Sequence, residues 1–426
     1  MTNGSTPDGS SSIGMDAATA SDPPDARSNG STDATGDGAS GEERRADADE
    51  APRFATPGEV DARASYVVRQ FEPGDREAFV SLYDEVFGGG GDRWFRWKYL
   101  DNPTVSHVPI VVADADGELA GARPQVPFRM RAGDRTVLAF RFGDTMVHPD
   151  HRRRGVFTTL ADHVLDEYAQ TAPAFGFNCP NEVARQGFTK VGGRVVGTHP
   201  SWYRIQRPGA LDPGAGDDDG TLRRAALVAG PLLRGFNRVA ELTAPSTGDV
   251  RVVRHSTFPV DRLAALYRRA VPDRVHAVRD EQFLDWRYRN PEWEYTAYVA
   301  ERGGDAVAGA ITGTQARAER TVTNLVDVLP MVSTERRDRA LPALLTAVVR
   351  EHRDADLLAY SGRTIPRSLL ARFGFRPDDS LPLSRVASPT RLVAYDVGDG
   401  RDWHVDGVDL RRPENWALTY AELDAR

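Results

Sequence analysis

Cysteine is almost missing from this chain: Cys179 is the only one in 426 residues. That excludes a disulfide framework and a cysteine-rich metal site. Lysine is nearly as scarce. Lys98 and Lys190 are the only lysines among 54 basic residues, and arginine makes up the rest, which with the many aspartates suggests a GC-rich and salt-adapted source. No run of about 18 apolar residues occurs, and a membrane span is not expected. The N-terminus lacks the basic stretch followed by an apolar one that marks a secretory signal, so a cytoplasmic location is expected. A net positive field is lacking as well. The formal charge is −8, and residues 1–65, with 13 acidic and 5 basic side chains, carry all of it. The neutral remainder has nothing to draw it onto DNA or RNA.

Residues 1–64 are mostly Ser, Thr, Gly, Asp, Ala and Pro. They bury too little to offset their ordering, and a disordered acidic tail is expected. From Ser65 the texture changes. "SYVVRQF" reads as a strand, and "DREAFVSLYDEVF" as a helix with Asp75 as its N-cap. "HVPIVVADADGELAGARPQV" reads as two strands joined at Asp116-Gly117. "VLAFRFGDTMV" is a further strand. In "VFTTLADHVLDEYA", Val156, Leu160, Val164 and Tyr168 share one helical face. "AFGFNC" is a short strand, and "EVARQGFTKVGG" a short helix ending in glycine.

The same order then returns. "DVRVVRHS", "VDRLAALYRRA", "FLDWRYRNP", the "YTAYVAERGGDAVAGAITGTQ" hairpin, "TNLVDVLPMV", "RALPALLTAVVREH" and "SLLARFGF" repeat the first series about 190 residues on. This predicts a tandem duplication of a domain of about 140 residues. A Gly/Pro/Asp loop at 207–220 and a helical stretch after it separate the halves.

The chemistry concentrates in "TMVHPDHRRRGVFTTL", Thr145–Leu160. Val147 ends an apolar strand and Pro149 stops its ladder. Gly155 stands where a helix begins. A helix N-terminus offers free N–H groups and a positive dipole end to a phosphate, glycine lets the backbone come close, and arginines pair with phosphate oxygens.

These residues resemble the GNAT superfamily of acyl-CoA-dependent N-acyltransferases. Val147-His148-Pro149 is followed by Arg152-Arg153-Arg154-Gly155-Val156-Phe157, with Phe157 where the family has a small residue. A second signature is matched by Asn181, Ala184, Phe188 and Gly192, with Phe188 where the family has tyrosine. The resemblance implies an α/β (α+β) protein of two fused GNAT-like domains, each a mixed, mainly antiparallel sheet flanked by helices. The N-terminal domain spans 65–206, a linker and connecting helix 207–247, and the C-terminal domain 248–426. It further implies acetyl-CoA as donor: Met146 and Val147 along the pantetheine arm, Arg152, Arg153, Arg154, Gly155, Val156, Phe157 and Thr158 about the pyrophosphate, and Asn181 beside the cofactor. The acceptor would be a primary amine of a small molecule or peptide.

Acyl transfer needs a base for the amine and an acid for the leaving thiolate. Asp144 is the candidate base. Strict alternation points Phe142, Asp144 and Met146 to one face; the plainer reading of Asp144 is a carboxylate that caps a loop or pairs with an arginine. Phe188 cannot donate a proton, so Tyr168, Tyr203 or water serves as acid, the thiolate leaves unaided, or activity is lost. In the last case the chain would be a non-catalytic acyl-CoA-binding or regulatory protein. In the second half Arg339 takes the place of Gly155 and Asp338 that of Arg154; both oppose phosphate binding. Pro342 is expected in the first turn of the following helix. That half reads as a degenerate module. The duplicated Trp94, Trp97, Tyr99 and Trp286, Tyr288 read first as core. His148 and His151 lack further ligands for a metal, and Cys179 reads as a small buried residue near the expected thiol.

Overall fold

The computed structural model describes residues 66–169, 173–180, 182–207, 235, 248–317, 320–381, 383–385, 389–397 and 403–423. The acidic tail, Asn181, and the loop and connecting helix expected between 208 and 247 lie outside the described residues.

The local signals build two mixed sheets. At the first hairpin, Ile110–Ala115 (β2) turns into Glu118–Ala132 (β3) through Asp116 and Gly117. Both turn residues have positive φ, 55° and 90°, as a two-residue turn matching the strand twist requires. Val67–Gln70 (β1) pairs with β2, and Arg135–Phe142 (β4) with β3, all antiparallel. β4 then pairs in parallel with Pro173–Asn178 (β6). Between these two strands in the chain lies the helix Val156–Ala169 (α3). It buries Val156, Leu160, Ala161, Val164 and Tyr168 against the sheet, with Val156, Leu160 and Val164 each worth roughly 1.5–3 kcal/mol.

The second sheet repeats this plan. Arg251–His255 (β9), Glu294–Arg302 (β11), Asp305–Arg317 (β12) and Arg320–Leu329 (β13) follow one another antiparallel, and β13 pairs in parallel with Leu357–Ser361 (β14). The helix Glu335–Glu351 (α7) makes the crossover.

The sixth place in each sheet is filled from the other segment of the chain. Thr390–Asp396 (β16) lies between β6 and Arg194–His199 (β7) in the first sheet. Ser201–Ile205 (β8) lies between β14 and Arg376–Pro377 (β15) in the second. The orders are β1-β2-β3-β4-β6-β16-β7 and β15-β8-β14-β13-β12-β11-β9. Pro200 alone separates β7 from β8, so the chain crosses from one sheet to the other there. A cut at 206 therefore does not separate the sheets.

A shared core joins the two sheets. Trp94, Trp97, Tyr99, Trp286 and Tyr288 are all buried in it, with Phe177, Cys179, Trp416 and Leu418. The aromatic repeat is packing, as its plainer reading had it. Two local expectations change. Asp75 does not cap the helix Arg76–Phe87 (α1) through its side chain. Its carboxylate accepts from the Glu72 N–H at 2.8 Å and from Arg69 at 2.7 Å. Pro342 lies well inside α7 rather than in its first turn, because the helix starts at Glu335, further back than the expected turn allowed.

Candidate functional site

β4 and β6 run side by side only as far as Arg141 and Phe177. Beyond them the chain parts. Gly143, Asp144 and Thr145 bulge out, and Met146–Val147 (β5) turns to pair with Ala122 and Gly121 of β3. Asp144 makes the break, with φ of 53°, a left-handed conformation rare for a non-glycine residue. It also corrects the expected alternation. Phe142 packs with Phe188 and Tyr395 on the α3 side, while Met146 lies in the core shared by the sheets.

Asp144 is buried. Its carboxylate is ion-paired with Lys98 and accepts from the Tyr99 hydroxyl at 3.4 Å. Lys98 is itself buried, its ammonium 4.8 Å from the Trp94 ring centroid. The geometry is that of a carboxylate anchoring a loop. Lys98 carried a signal the sequence reading passed over: one of two lysines in an arginine-rich chain, set inside an aromatic run.

The expected phosphate turn is present and open. His148 donates its backbone N–H to Ala120 at 2.9 Å, so the alternation of an antiparallel ladder turns the N–H and C=O of Val147 away from β3, toward the gap. The Val147 carbonyl receives Nε of Arg152 at 3.4 Å. A 3₁₀ turn at Pro149–His151 follows. Arg153 and Gly155 then take positive φ, 61° and 80°, and α3 begins at Val156. Alternating backbone of this kind directs successive N–H groups into one concavity. A Cβ at Gly155 would meet nothing within 4 Å, so the space before the turn is free. Arg152, Arg153, Arg154 and Thr158 are exposed, and no carboxylate among the described residues pairs with the three arginines. Val156 is buried, and Phe157 is half-buried with its ring 5.6 Å from that of Phe188.

The acid candidates lie elsewhere. Tyr168 ends α3, roughly 18 Å from the turn at 1.5 Å per residue, and burial pushes its hydroxyl above the ordinary range. Tyr203 belongs to the second sheet, and burial pushes it up to about 12. A hydroxyl the sequence reading missed is closer: Tyr395, on the exchanged β16, packs 5.0 Å from Phe142 and 6.3 Å from Phe188. Burial holds its hydroxyl well above the usual tyrosine range. Only a strand crossing from the far end of the chain brings it there. Cys179 is buried, which pushes its thiol up to about 12; that is an unreactive thiol. His148 and His151 sit 5.8 Å apart, engaged with Glu85 and Tyr66. No group of three or more metal-ligating side chains occurs among the described residues, nor any helix long and apolar enough to cross a membrane.

The second sheet fills the corresponding gap with its own side chains. Thr334 caps α7, accepting from the Arg337 N–H at 3.3 Å. Arg337 is buried and donates to the Pro330 carbonyl at 2.6 Å, to the Thr364 carbonyl, and to Asp338 at 2.7 Å. Its guanidinium spans from the end of β13 to the loop after β14. Arg339 turns outward to Glu335.

Comparison with known proteins agrees with this layout. Residues 67–189 match the family model of the acetyltransferase (GNAT) domain. No curated protein matches the sequence. Among solved structures, a GCN5-related N-acetyltransferase from Anabaena variabilis is similar at TM-score 0.54 and 11% identity, over 78% of this chain and 73% of that one. A GCN5-related N-acetyltransferase from Kribbella flavida is similar at TM-score 0.51 and 14% identity, over 78% and 71%. N-myristoyltransferase from Saccharomyces cerevisiae, solved with bound myristoyl-CoA, is similar at TM-score 0.52 and 13% identity, over 80% and 82%. At these identities the likeness is one of fold. Over the strands, turn and helix just described, residues 67–189 are thus similar to the acetyltransferase (GNAT) domain family.

Proposed function

We propose that the chain is an acyl-CoA-dependent N-acyltransferase, with acetyl-CoA as its simplest donor, acting on a primary amine by direct transfer in a ternary complex. The observation that carries this reading is the open turn at Arg153–Gly155, heading α3 beside the parted strands β4 and β6. The backbone N–H groups of Arg153 to Thr158, with the exposed guanidinium groups of Arg152–Arg154, would hold the pyrophosphate. The outward backbone of Val147, with Met146 before it, would take the pantetheine arm like an added strand. When bound, acyl-CoA supplies a thioester whose acyl carbon passes to the amine nitrogen and whose sulfur leaves as the thiol.

Within this reading Asp144 has two tasks. Locked to Lys98 and Tyr99, it fixes the bulge that parts the strands. It is also the carboxylate available to take the amine's proton, once an acceptor's ammonium group stands where Lys98 now does. The second sheet contributes packing and one wall of the cleft, because Arg337 and the Thr334 cap occupy the place of a second cofactor turn. The tandem duplication is part of the proposal, supported by the repeated strand order of the two sheets.

One observation favours a rival. Phe188 brings no hydroxyl to the position of the family's acid and packs against Phe157, as suits a protein that binds acyl-CoA without turnover. Thiol release from acetyl-CoA over a panel of amines, beside calorimetry with acetyl-CoA, decides between them. Turnover on any amine supports the enzyme. Binding without turnover across the panel supports the rival, and absence of binding overturns both.

A further inference from the structure

Arg123 stands out among the buried cations. It lies in β3, fully buried, with its guanidinium 5.1, 5.5 and 5.7 Å from the ring centroids of Phe142, Phe188 and Phe157. Nη1 reaches Thr145 Oγ1 at 3.4 Å. Nε and Nη2 have no hydrogen-bond partner, and no carboxylate among the described residues is paired with it. The other fully buried arginines are served. Arg279 holds Asp327 at 2.7 Å and Glu422 at 2.5 Å, Arg337 holds two carbonyls and Asp338, and Arg204 donates to the Phe373 carbonyl. Burial pulls Arg123 down to about 10 against the weak pull of Tyr395 and Asp162.

The two idle donors form one edge of the guanidinium, with parallel N–H groups in its plane. That edge grips the two oxygens of a carboxylate. Idle acceptors share its side of the sheet. Gln125, two residues along β3 and opposite Phe142, has an unpartnered Oε1. Asn178, which ends β6 opposite Val393, has an unpartnered Oδ1. Buried polar atoms left unpaired in this number are costly. Together they offer a fork for an anion and carbonyls for an N–H, beside the gap where transfer would occur. Of the three rings only Phe157 reaches solvent. It is the second residue of α3, directly after the phosphate turn, and its ring lies 5.7 Å from the Arg123 guanidinium.

We propose that Arg123 is a specificity residue that binds a carboxylate carried by one of the reactants, either the amine acceptor or the acyl group, after the Phe157 ring turns aside. This rests on the acyltransferase reading, and the test separates the two. Calorimetry of the full chain with CoA alone probes the turn, whose backbone N–H groups and exposed arginines make no hydrogen bond to Arg123. One arm then compares binding of succinyl-CoA with acetyl-CoA. The other compares thiol release from acetyl-CoA with amino acids against their amides. The wild type should prefer the carboxylate form by about tenfold or more in one arm, the weight of one charge-assisted pair; the arm that responds names the reactant. R123M should abolish the preference while leaving CoA affinity and melting temperature undiminished, since an apolar chain of similar length replaces an unpaired buried charge. R123K, which keeps charge without the fork, should lose most of it. CoA binding without a preference in either arm, or a preference that survives in R123M, overturns this inference alone. Absence of CoA binding overturns the acyltransferase reading with it.

Discussion

Trp97 and Trp286 hydrogen-bond to each other twice. Each indole N–H donates to the other residue's backbone carbonyl at 2.8 Å, across 189 positions of sequence, and the rings stack at 5.8 Å and 16°. The exchange ties the two segments of chain together inside the shared core. Tyr99 and Tyr288 follow the same offset, donating to Asp144 at 3.4 Å and to Asp327 at 3.2 Å. Trp97→Phe should strand the Trp286 carbonyl and cost about 1–3 kcal/mol, as should Trp286→Phe. The double variant should cost less than the sum of the two, because the pair is one unit. Urea unfolding of the three variants measures this. Strict additivity would show that the tryptophans act separately.

One acyl-CoA site per chain is expected. Gly155→Glu should remove it, since φ of 80° strains any side chain there and a carboxylate repels the pyrophosphate. Arg339→Gly should not create a second site, because Arg337 and Thr334 still close the corresponding gap. Titration calorimetry with acetyl-CoA reads both outcomes as stoichiometry. Two sites in the wild type would contradict the filled second gap.

The Lys98–Asp144 pair should respond unequally to single and double replacement. Asp144→Asn or Lys98→Met alone leaves one buried charge without its partner and should cost about 3–5 kcal/mol. Replacing both should restore much of that. If Asp144 also takes the amine's proton, the double variant folds but transfers slowly. A stability measurement beside a thiol-release rate separates the anchoring task from the chemical one.

Much of the first segment was legible because its signals are local. The Asp116-Gly117 turn, the helical face of Val156, Leu160, Val164 and Tyr168, and the turn before Gly155 each need only neighbouring residues. The bulge at Asp144 was not legible. Alternation assumes continuous extended backbone, and a left-handed aspartate held by a distant lysine breaks it. Nor were β8 and β16, since strand exchange depends on partners some 150–220 residues away and no periodicity records it. Arg123 stayed unnoticed for a related reason. One arginine within a strand looks like a surface residue until three separate elements each bring a phenylalanine to its guanidinium.

Stability should fall in acid, and three buried groups contribute to the slope. Burial holds His199 and His276 at about 4 against an unfolded value of about 6.5. His276 is suited to the neutral ring, with Nδ1 2.6 Å from the Arg274 carbonyl and Nε2 2.9 Å from the Tyr267 hydroxyl. A depressed histidine adds stability that is complete above its unfolded value and drains away as pH falls toward the folded one, so each should lose roughly 3 kcal/mol between about pH 6.5 and 4. Asp378 acts in the opposite sense. Burial and the neighbouring Asp379 raise it from 3.8 to about 6, so its contribution is complete below the unfolded value and is lost as pH rises through 6. It therefore offsets about one histidine over the same range. His199→Gln or His276→Gln should flatten the acid limb of a urea-midpoint profile, and Asp378→Asn should steepen it. A profile unchanged by the histidine variants would show that neither ring is held neutral by the fold.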